Sequence, residues 1–382
     1  MSKHAILSAS SAHRWLACPP SAKLESTMPE SESTYAAEGT DAHTLANINL
    51  RYLLGDIIKP SYGKLRKKFI TTSKYFNTEM ERYIEKDFCT SVMELVGECK
   101  IVDLEERVDF SEWVPDGFGT ADVIIIGNNT IHVIDLKYGK GVPVSTERNP
   151  QLMLYALGAC EKYNFLYDFD NVSMTIMQPR LDASSTYTIP VNELYEWADN
   201  IVKPIADLAY AGGGEFAPSE ETCRFCKANT VCRARAEAAT KIAAKVFEPD
   251  DILSNDEIAE LLKVTGQVSK WAKDVEEYAL EQARDHGVKF PGWKLVEGRS
   301  NRKITDEEAV MEVLATNGFD ENDFAPRKLV GIGDLEKLVG KTDLLKDYIL
   351  KPPGNPTLVP ESDKRPELNS SAKAAEVFKE EF

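Results

Sequence analysis

The chain has 382 residues, a formal net charge of −17, a hydrophobic share of 43% and 9% aromatics. That composition excludes a wholly disordered chain, and the length suggests two to three domains. No apolar run approaches the roughly 18 residues of a membrane helix, the N-terminus has no apolar signal core, and a pI near 4.9 argues against a protein that coats nucleic acid.

In chain order, residues 10–58 read mainly as helix, broken around Pro19, Pro20 and Pro29. The stretch 79–98 repeats apolar residues at helical spacing. The period then changes. Residues 100–109, 120–126 and 130–137 predict successive strands, with turns at 115–119 and 127–129. A helix is expected from Pro150, because proline suits a first helical turn. Residues 171–178 and 185–190 predict another strand pair, 191–211 an amphipathic helix, and Gly212–Gly214 a break. Ser254 and Glu257 form a capping-box pattern ahead of a long helix reaching about Arg284, and Thr305 and Glu308 repeat the pattern. A short ribbon is expected at 290–304. The Pro-rich segment from 352 reads as an extended or unstructured tail. No internal repeat is visible.

The segment GFGTADVIIIGNNTIHVIDLKYGKG, residues 117–141, carries the most chemistry. It reads as a hairpin with an Asn-Asn turn. Asp135 and Lys137 are two residues apart, so on a strand they leave one face, and Asp122 opens the preceding strand. Two carboxylates and an ammonium at one end of an apolar hairpin suit Mg²⁺ or Mn²⁺, which bind through one or two carboxylates plus substrate phosphate. Such a cation acidifies water and stabilises charge on a phosphodiester, while a lysine two residues on orients water or offsets developing negative charge. A bare Asp-x-Lys spacing is equally what a surface ion pair at a strand end looks like. Gln151 and Tyr155 stand at i and i+4 on the next helix, a face able to hydrogen-bond this site or an ordinary amphipathic face. His43, in AAEGTDAHTLAN, is a possible imidazole ligand.

The order Glu-Gly-Thr-x-x-His, Gly-Thr-Ala-Asp, Ile-Asp-Leu-Lys, Gln-Leu-x-x-Tyr-Ala resembles the RecB-like branch of the PD-(D/E)XK nuclease superfamily. Within that branch the opening HAILSASSAHRWLACPPS and the later WKLVEGRSNRK resemble the phage and prophage family DUF2800, and the motifs are similar to those of Cas4- and AddB-type nucleases. The motif order covers roughly residues 4–240. The resemblance implies an α/β restriction-endonuclease-like core, a mixed sheet flanked by helices, with a helical C-terminal appendage. It implies that His43, Asp122 and Asp135 bind the divalent cation, that Lys137 is catalytic, and that Gln151 and Tyr155 belong to the same machinery. The central acidic position, often Glu in the superfamily, is Asp135 here. Pro-Asp is replaced by Ala-Asp at Asp122.

Seven cysteines, an odd and modest number, fit a reducing, cytoplasmic setting better than a complete disulfide framework. Cys223, Cys226 and Cys232 are closely spaced, and Cys18 stands far upstream in a Cys-Pro. Four thiols support zinc or an iron–sulfur group. The resemblance to Cas4- and AddB-like proteins implies a [4Fe–4S] cluster held by Cys18, Cys223, Cys226 and Cys232, stapling the two ends of the domain, with zinc the alternative occupant. Cys89, Cys99 and Cys160 read as core residues.

The resulting organisation is a nuclease domain over 1–246, a mainly helical accessory domain over 247–351 and the tail at 352–382. The expected activity is metal-dependent DNA cleavage, by an exonuclease serving phage recombination or replication. The alternative is a non-catalytic DNA-binding or scaffolding protein that keeps the fold. Expected partners are DNA, single-stranded or with a free end, and a phage single-strand-binding or annealing protein, with no membrane. Residues 59–74 hold six basic and no acidic side chains with Tyr62 and Phe69 between them, suited to phosphate and base contact or to a solvated loop. Arg299, Arg302 and Lys303, and the group Arg224, Lys227, Arg233 and Arg235, are further basic candidates. LVGKT at 338–342 lacks the first glycine of a P-loop, which is Leu335 here, and so predicts no nucleotide site.

Overall fold

A computed structural model describes residues 5–29, 34–97, 101–244 and 254–294, with 296, 308, 311, 312 and 316. The chain divides into two compact units, Met1–Leu295 and Val296–Phe382. Every strand and helix discussed below lies in the first. The tail at 352–382, the second capping pattern's Thr305, LVGKT, Cys99 and the basic residues 299, 302 and 303 fall outside the described residues.

The first unit is a mixed α/β structure around a five-stranded mixed sheet of order β1-β2-β3-β4-β5. The strands are β1 Ile101–Asp109, β2 Phe118–Gly127, β3 Thr130–Leu136, β4 Asn171–Gln178 and β5 Ala183–Pro190. β3 and β4 are parallel and the other neighbours antiparallel. The β2–β3 hairpin closes through Asn128 and Asn129, both at positive φ (51° and 53°). This is the two-residue turn whose twist matches a hairpin, and asparagine tolerates its left-handed backbone.

The uninterrupted VIII run reflects a sheet covered on both faces. Ile124 and Ile126 enter one core with Ile131 and Val133; Val123 and Ile125 enter the other with Ile134 and Leu136. A strand buried on both sides has no polar face to alternate with. The first core is covered by the N-terminal segment with helix α1 (Ala12–Ala17), by α7 (Pro150–Tyr163), and by α8 (Val191–Trp197) with α9 (Lys203–Ala211). α2 (Pro20–Glu25) also contacts α9. The second core is covered by α3 (Thr34–Leu53), α4 (Lys59–Thr72), α5 (Thr78–Arg82) and α6 (Cys89–Val96). Trp15 in the first core and Phe88 in the second are about 1% exposed. Burying a side chain of that class contributes about 1.5–3 kcal/mol.

α7 is where sequence and structure agree most closely. Pro150 begins it, and the Asn149 side chain accepts from Gln151 N and Leu152 N, satisfying two of the amides that a helix start leaves open. The Ser254–Glu257 capping box also forms, heading α12 (Asn255–Asp285). α12 is tied to α11 (Arg233–Ala244) by an Arg235–Asp274 ion pair at 2.9 Å. Two π-helical turns, Tyr83–Phe88 between α5 and α6 and Ala198–Val202 between α8 and α9, have no sequence signature.

The basic stretch 59–74 is corrected by the fold. It is helical over 59–72, and helical spacing turns its aromatics inward. Phe69 is buried in the second core, while Tyr62 stacks on Tyr52 with centroids 4.4 Å apart and donates to Asn49 Oδ1. Arg66 is engaged by Glu81 and Glu85. Neither aromatic is free to stack on a base, whereas Lys59, Lys64, Lys67, Lys68 and Lys74 stay exposed.

Candidate active site and thiol pocket

β2, β3, α3 and α7 bring together at one end of the sheet all six residues that the sequence singled out there. Asp122 bridges two elements. Its Oδ2 accepts from Leu136 N at 2.7 Å and its Oδ1 lies 3.0 Å from His43 Nδ1 on α3. Asp135 is on the other face of the sheet, 3% exposed, next to α7. Its Oδ1 accepts from Gln151 Nε2 at 3.0 Å. Its Oδ2 is ion-paired with Lys137 Nζ at 3.0 Å. Lys137 Nζ donates to Gln151 Oε1 at 3.0 Å, and Gln151 Nε2 also lies 3.3 Å from Tyr155 OH. Gln151 thus joins the acid, the lysine and the tyrosine.

Gly119 explains how Tyr155 reaches this group. A Cβ at 119 would collide with Tyr155 Cε1, so the ring lies directly on the β2 backbone where only hydrogen leaves room. The glycine of Gly-Thr-Ala-Asp therefore places a residue 36 positions away.

The electrostatics follow from burying like charges together. Burial lowers the His43 imidazole, but Asp122, with Asp135 and Glu105 behind it, outweighs burial and holds the group up at about 9. Burial and then the Asp122 charge, opposed by Lys137, push the Asp135 carboxyl up. Burial pushes the Tyr155 phenol up as well, so it stays neutral while accepting from Gln151 Nε2. A buried acid, a second acid 13 residues away in the hairpin's partner strand and an imidazole form a donor set suited to a divalent cation. Bound cation would replace the proton on His43, since a ligating imidazole must be neutral.

Glu105 is the residue that the sequence reading missed. β1 pairs with β2 through Leu104↔Val123 and Glu106↔Ala121, which sets Glu105 opposite Asp122. Burial and the Asp122 charge push its carboxyl up to about 7. Reflecting the strands about the 115–119 turn gives this register, but only once Asp109↔Phe118 is known as the last pair.

The four expected cluster cysteines line one small cavity. Cys18 follows α1, Cys223 ends the short helix α10 (Glu220–Cys223), and Cys226 and Cys232 lie between it and α11. All four are free thiols. Cys18 Sγ accepts from Ala217 N at 3.4 Å, across 199 residues. A polar brace lies alongside. Arg14 donates to Glu25 Oε2 at 2.8 Å and to Phe225 O at 3.1 Å, and Lys227 N donates to Glu25 Oε1 at 2.7 Å. Burial raises the Cys226 thiol to about 11 and raises Cys223 too, so without an occupant both stay protonated. Cys89 and Cys160 are buried core residues, each pushed up to about 12 by burial. Of the nearby basic group, Arg235 is taken up by Asp274, whereas Arg224, Lys227 and Arg233 are exposed.

Fold and site define a mixed α/β protein with an acidic, imidazole- and lysine-bearing centre at one sheet end and a separate thiol pocket. A family model described as "Protein of unknown function (DUF2800)" matches residues 4–366, and the chain belongs to the DUF2800 family. A solved structure described as "Crystal structure of SSO0001" is similar at 16% identity over 58% of this chain and 96% of its own, with a TM-score of 0.24. No helix among the described residues is long and apolar enough to cross a membrane.

Proposed function

We propose that this DUF2800 protein is a Mg²⁺- or Mn²⁺-dependent deoxyribonuclease of the RecB-like PD-(D/E)XK class, hydrolysing phosphodiester bonds from DNA ends in phage recombination or replication. The observation that carries this reading is the convergence of Asp122, Asp135, Lys137 and Gln151, with the buried Asp135 held between Gln151 and the Lys137 ammonium. A divalent cation held by Asp122, Asp135 and His43 supplies acidified water and charge neutralisation on the phosphate. The protein's own residues do the positioning. Gln151 fixes both Asp135 and the Lys137 ammonium, so that Lys137 presents its charge at the carboxylate pair, where it orients water and offsets charge on the phosphate oxygens. Tyr155, held neutral, supports Gln151 from below. The exposed lysines of α4 and Arg224, Lys227 and Arg233 suit phosphate contact along a single strand.

The thiol pocket is read as a [4Fe–4S] site. Four thiols around one cavity suit zinc or an iron–sulfur group, and the resemblance to Cas4- and AddB-like proteins favours the cluster, with zinc the alternative occupant.

The test uses anaerobically purified protein, end-labelled single- and double-stranded DNA and added Mg²⁺ or Mn²⁺. Asp135→Ala and Lys137→Ala are each expected to lower cleavage by about a thousandfold, the scale of losing a preorganised charge. Cleavage surviving both substitutions would sink the site assignment. Cation binding without cleavage in the unaltered protein would favour a DNA-binding or scaffolding role.

A further inference from the structure

On the α3 side of the sheet a cavity of about 10 Å³ opens between helix and strands, close to the space of one water or one bare ion. His43, Glu105 and Asp122 line it, and Leu50, Phe88 and Leu104 form its apolar wall. The ligand atoms of the three polar residues all lie within 4.8 Å of one another. Asp135 is absent from this trio, being engaged with Gln151 and Lys137 on the α7 side.

We infer that Glu105 is a direct protein ligand of the divalent cation, forming with His43 and Asp122 the tightest part of its site. The inference rests on the nuclease reading above and adds a ligand to it. Three observations meet at Glu105. Its carboxylate makes no hydrogen bond or ion pair within the described residues, although it stands across the ladder from Asp122. Its backbone takes φ of +51° in the middle of a strand, a conformation that costs a non-glycine residue about 1–3 kcal/mol. The adjoining cavity is ion-sized, with apolar side chains on one side and the exposed Glu105 on the other, so a cation there gains fixed oxygens and one nitrogen while staying open to water.

The ligand chemistry also selects the ion. Mg²⁺ dehydrates reluctantly and prefers oxygen ligands with several retained waters, whereas an imidazole suits first-row transition ions. With Glu105 added, the set is three carboxylates and one imidazole, and the imidazole makes it prefer Mn²⁺ to Mg²⁺.

Mn²⁺ titration of the metal-free full-length chain, followed by electron paramagnetic resonance, tests this without any DNA. The wild type is expected to bind Mn²⁺, with Mg²⁺ competing only at large excess. Glu105→Gln, nearly isosteric, is expected to weaken Mn²⁺ at least tenfold and alter the spectrum of the bound ion. Glu105→Asp, which keeps the charge, is expected to recover part of the affinity. Glu106→Gln, whose parent residue pairs with Lys162 away from the cavity, is expected to bind like wild type. Wild-type affinity in Glu105→Gln together with loss in Asp122→Asn would overturn the Glu105 assignment and leave the nuclease reading standing. A wild type that binds no Mn²⁺ would overturn both.

Discussion

At the carboxylate end of the sheet, most functional side chains are carried by elements whose backbone is already satisfied: Asp122 and Asp135 by strands, His43 by a 20-residue helix, Gln151 by a helix with a capped start, while Lys137 stands just past β3 with its amide bonded to Met177 O. Around the thiols the elements are short. α1 and α2 have six residues each and α10 has four, joined by turns and by the Arg14–Glu25 brace. Helices this short are marginal without tertiary support. The comparison separates two kinds of site. On the proposed reading, the first is preorganised by the fold to receive a cation, whereas the second would be organised in large part by the group its thiols hold.

The largest effect is expected where occupant and fold are one. If the thiols hold the proposed cluster, Cys18→Ser removes the ligand that ties the N-terminus to a segment about 200 residues on, and loss of a closure that long costs about 4–5 kcal/mol by analogy with a covalent cross-link. A fall in bound iron together with a markedly lower melting temperature checks this. EDTA treatment of the wild type, by contrast, is expected to lower the melting temperature far less. A melt that drops equally in both experiments breaks the comparison.

Gly119→Ala comes next. The added methyl must displace the Tyr155 ring or the β2 backbone, and overpacking of this kind costs about 1–3 kcal/mol. Because Tyr155 supports Gln151, DNA cleavage should fall along with the melting temperature, while iron content stays the same. Unchanged cleavage would show that the tyrosine is not part of the machinery.

The smallest effect is a pH dependence confined to the first site. His43 and Glu105 both have folded-state values raised above their ordinary ones, to about 9 and about 7. In each case the folded chain holds a proton that the unfolded chain has released, so stability present at low pH is lost as pH rises. The Glu105 window runs from about 4.5 to 7, and the His43 window from about 6.5 to 9. For His43 the loss is on the order of 1–2 kcal/mol after solvent screening is allowed for. Melts of the metal-free protein across that range should fall toward alkaline pH, and His43→Gln should flatten the upper part. Saturating Mn²⁺ should reverse the slope, since proton and cation compete for the same imidazole.

Much of this was legible in the residues. The Asn-Asn turn, the apolar strands, Pro150 and the Ser254–Glu257 cap are local signals, and the structure realises each within a few residues. The base-stacking expectation for 59–74 does not hold because charge masks a helical period in which Tyr62, Arg66 and Phe69 share the inner face, whereas the lysines stay exposed. Glu105 was invisible for a different reason. Its role depends on which residue of β2 it faces, and that register is fixed by the close of a turn, with no signal in its own neighbours.

The sequence by itself determined the strands, the hairpin and the Asp135–Lys137 pair, because period-two geometry alone sets two residues on one face. Only the tertiary structure decided that Asp122 is shared between His43 and the β3 backbone, that Gln151 joins Asp135 to Lys137, and that four thiols meet across 200 residues. Those contacts span elements remote in sequence, and their distances are set by how helices pack on the two faces of one sheet.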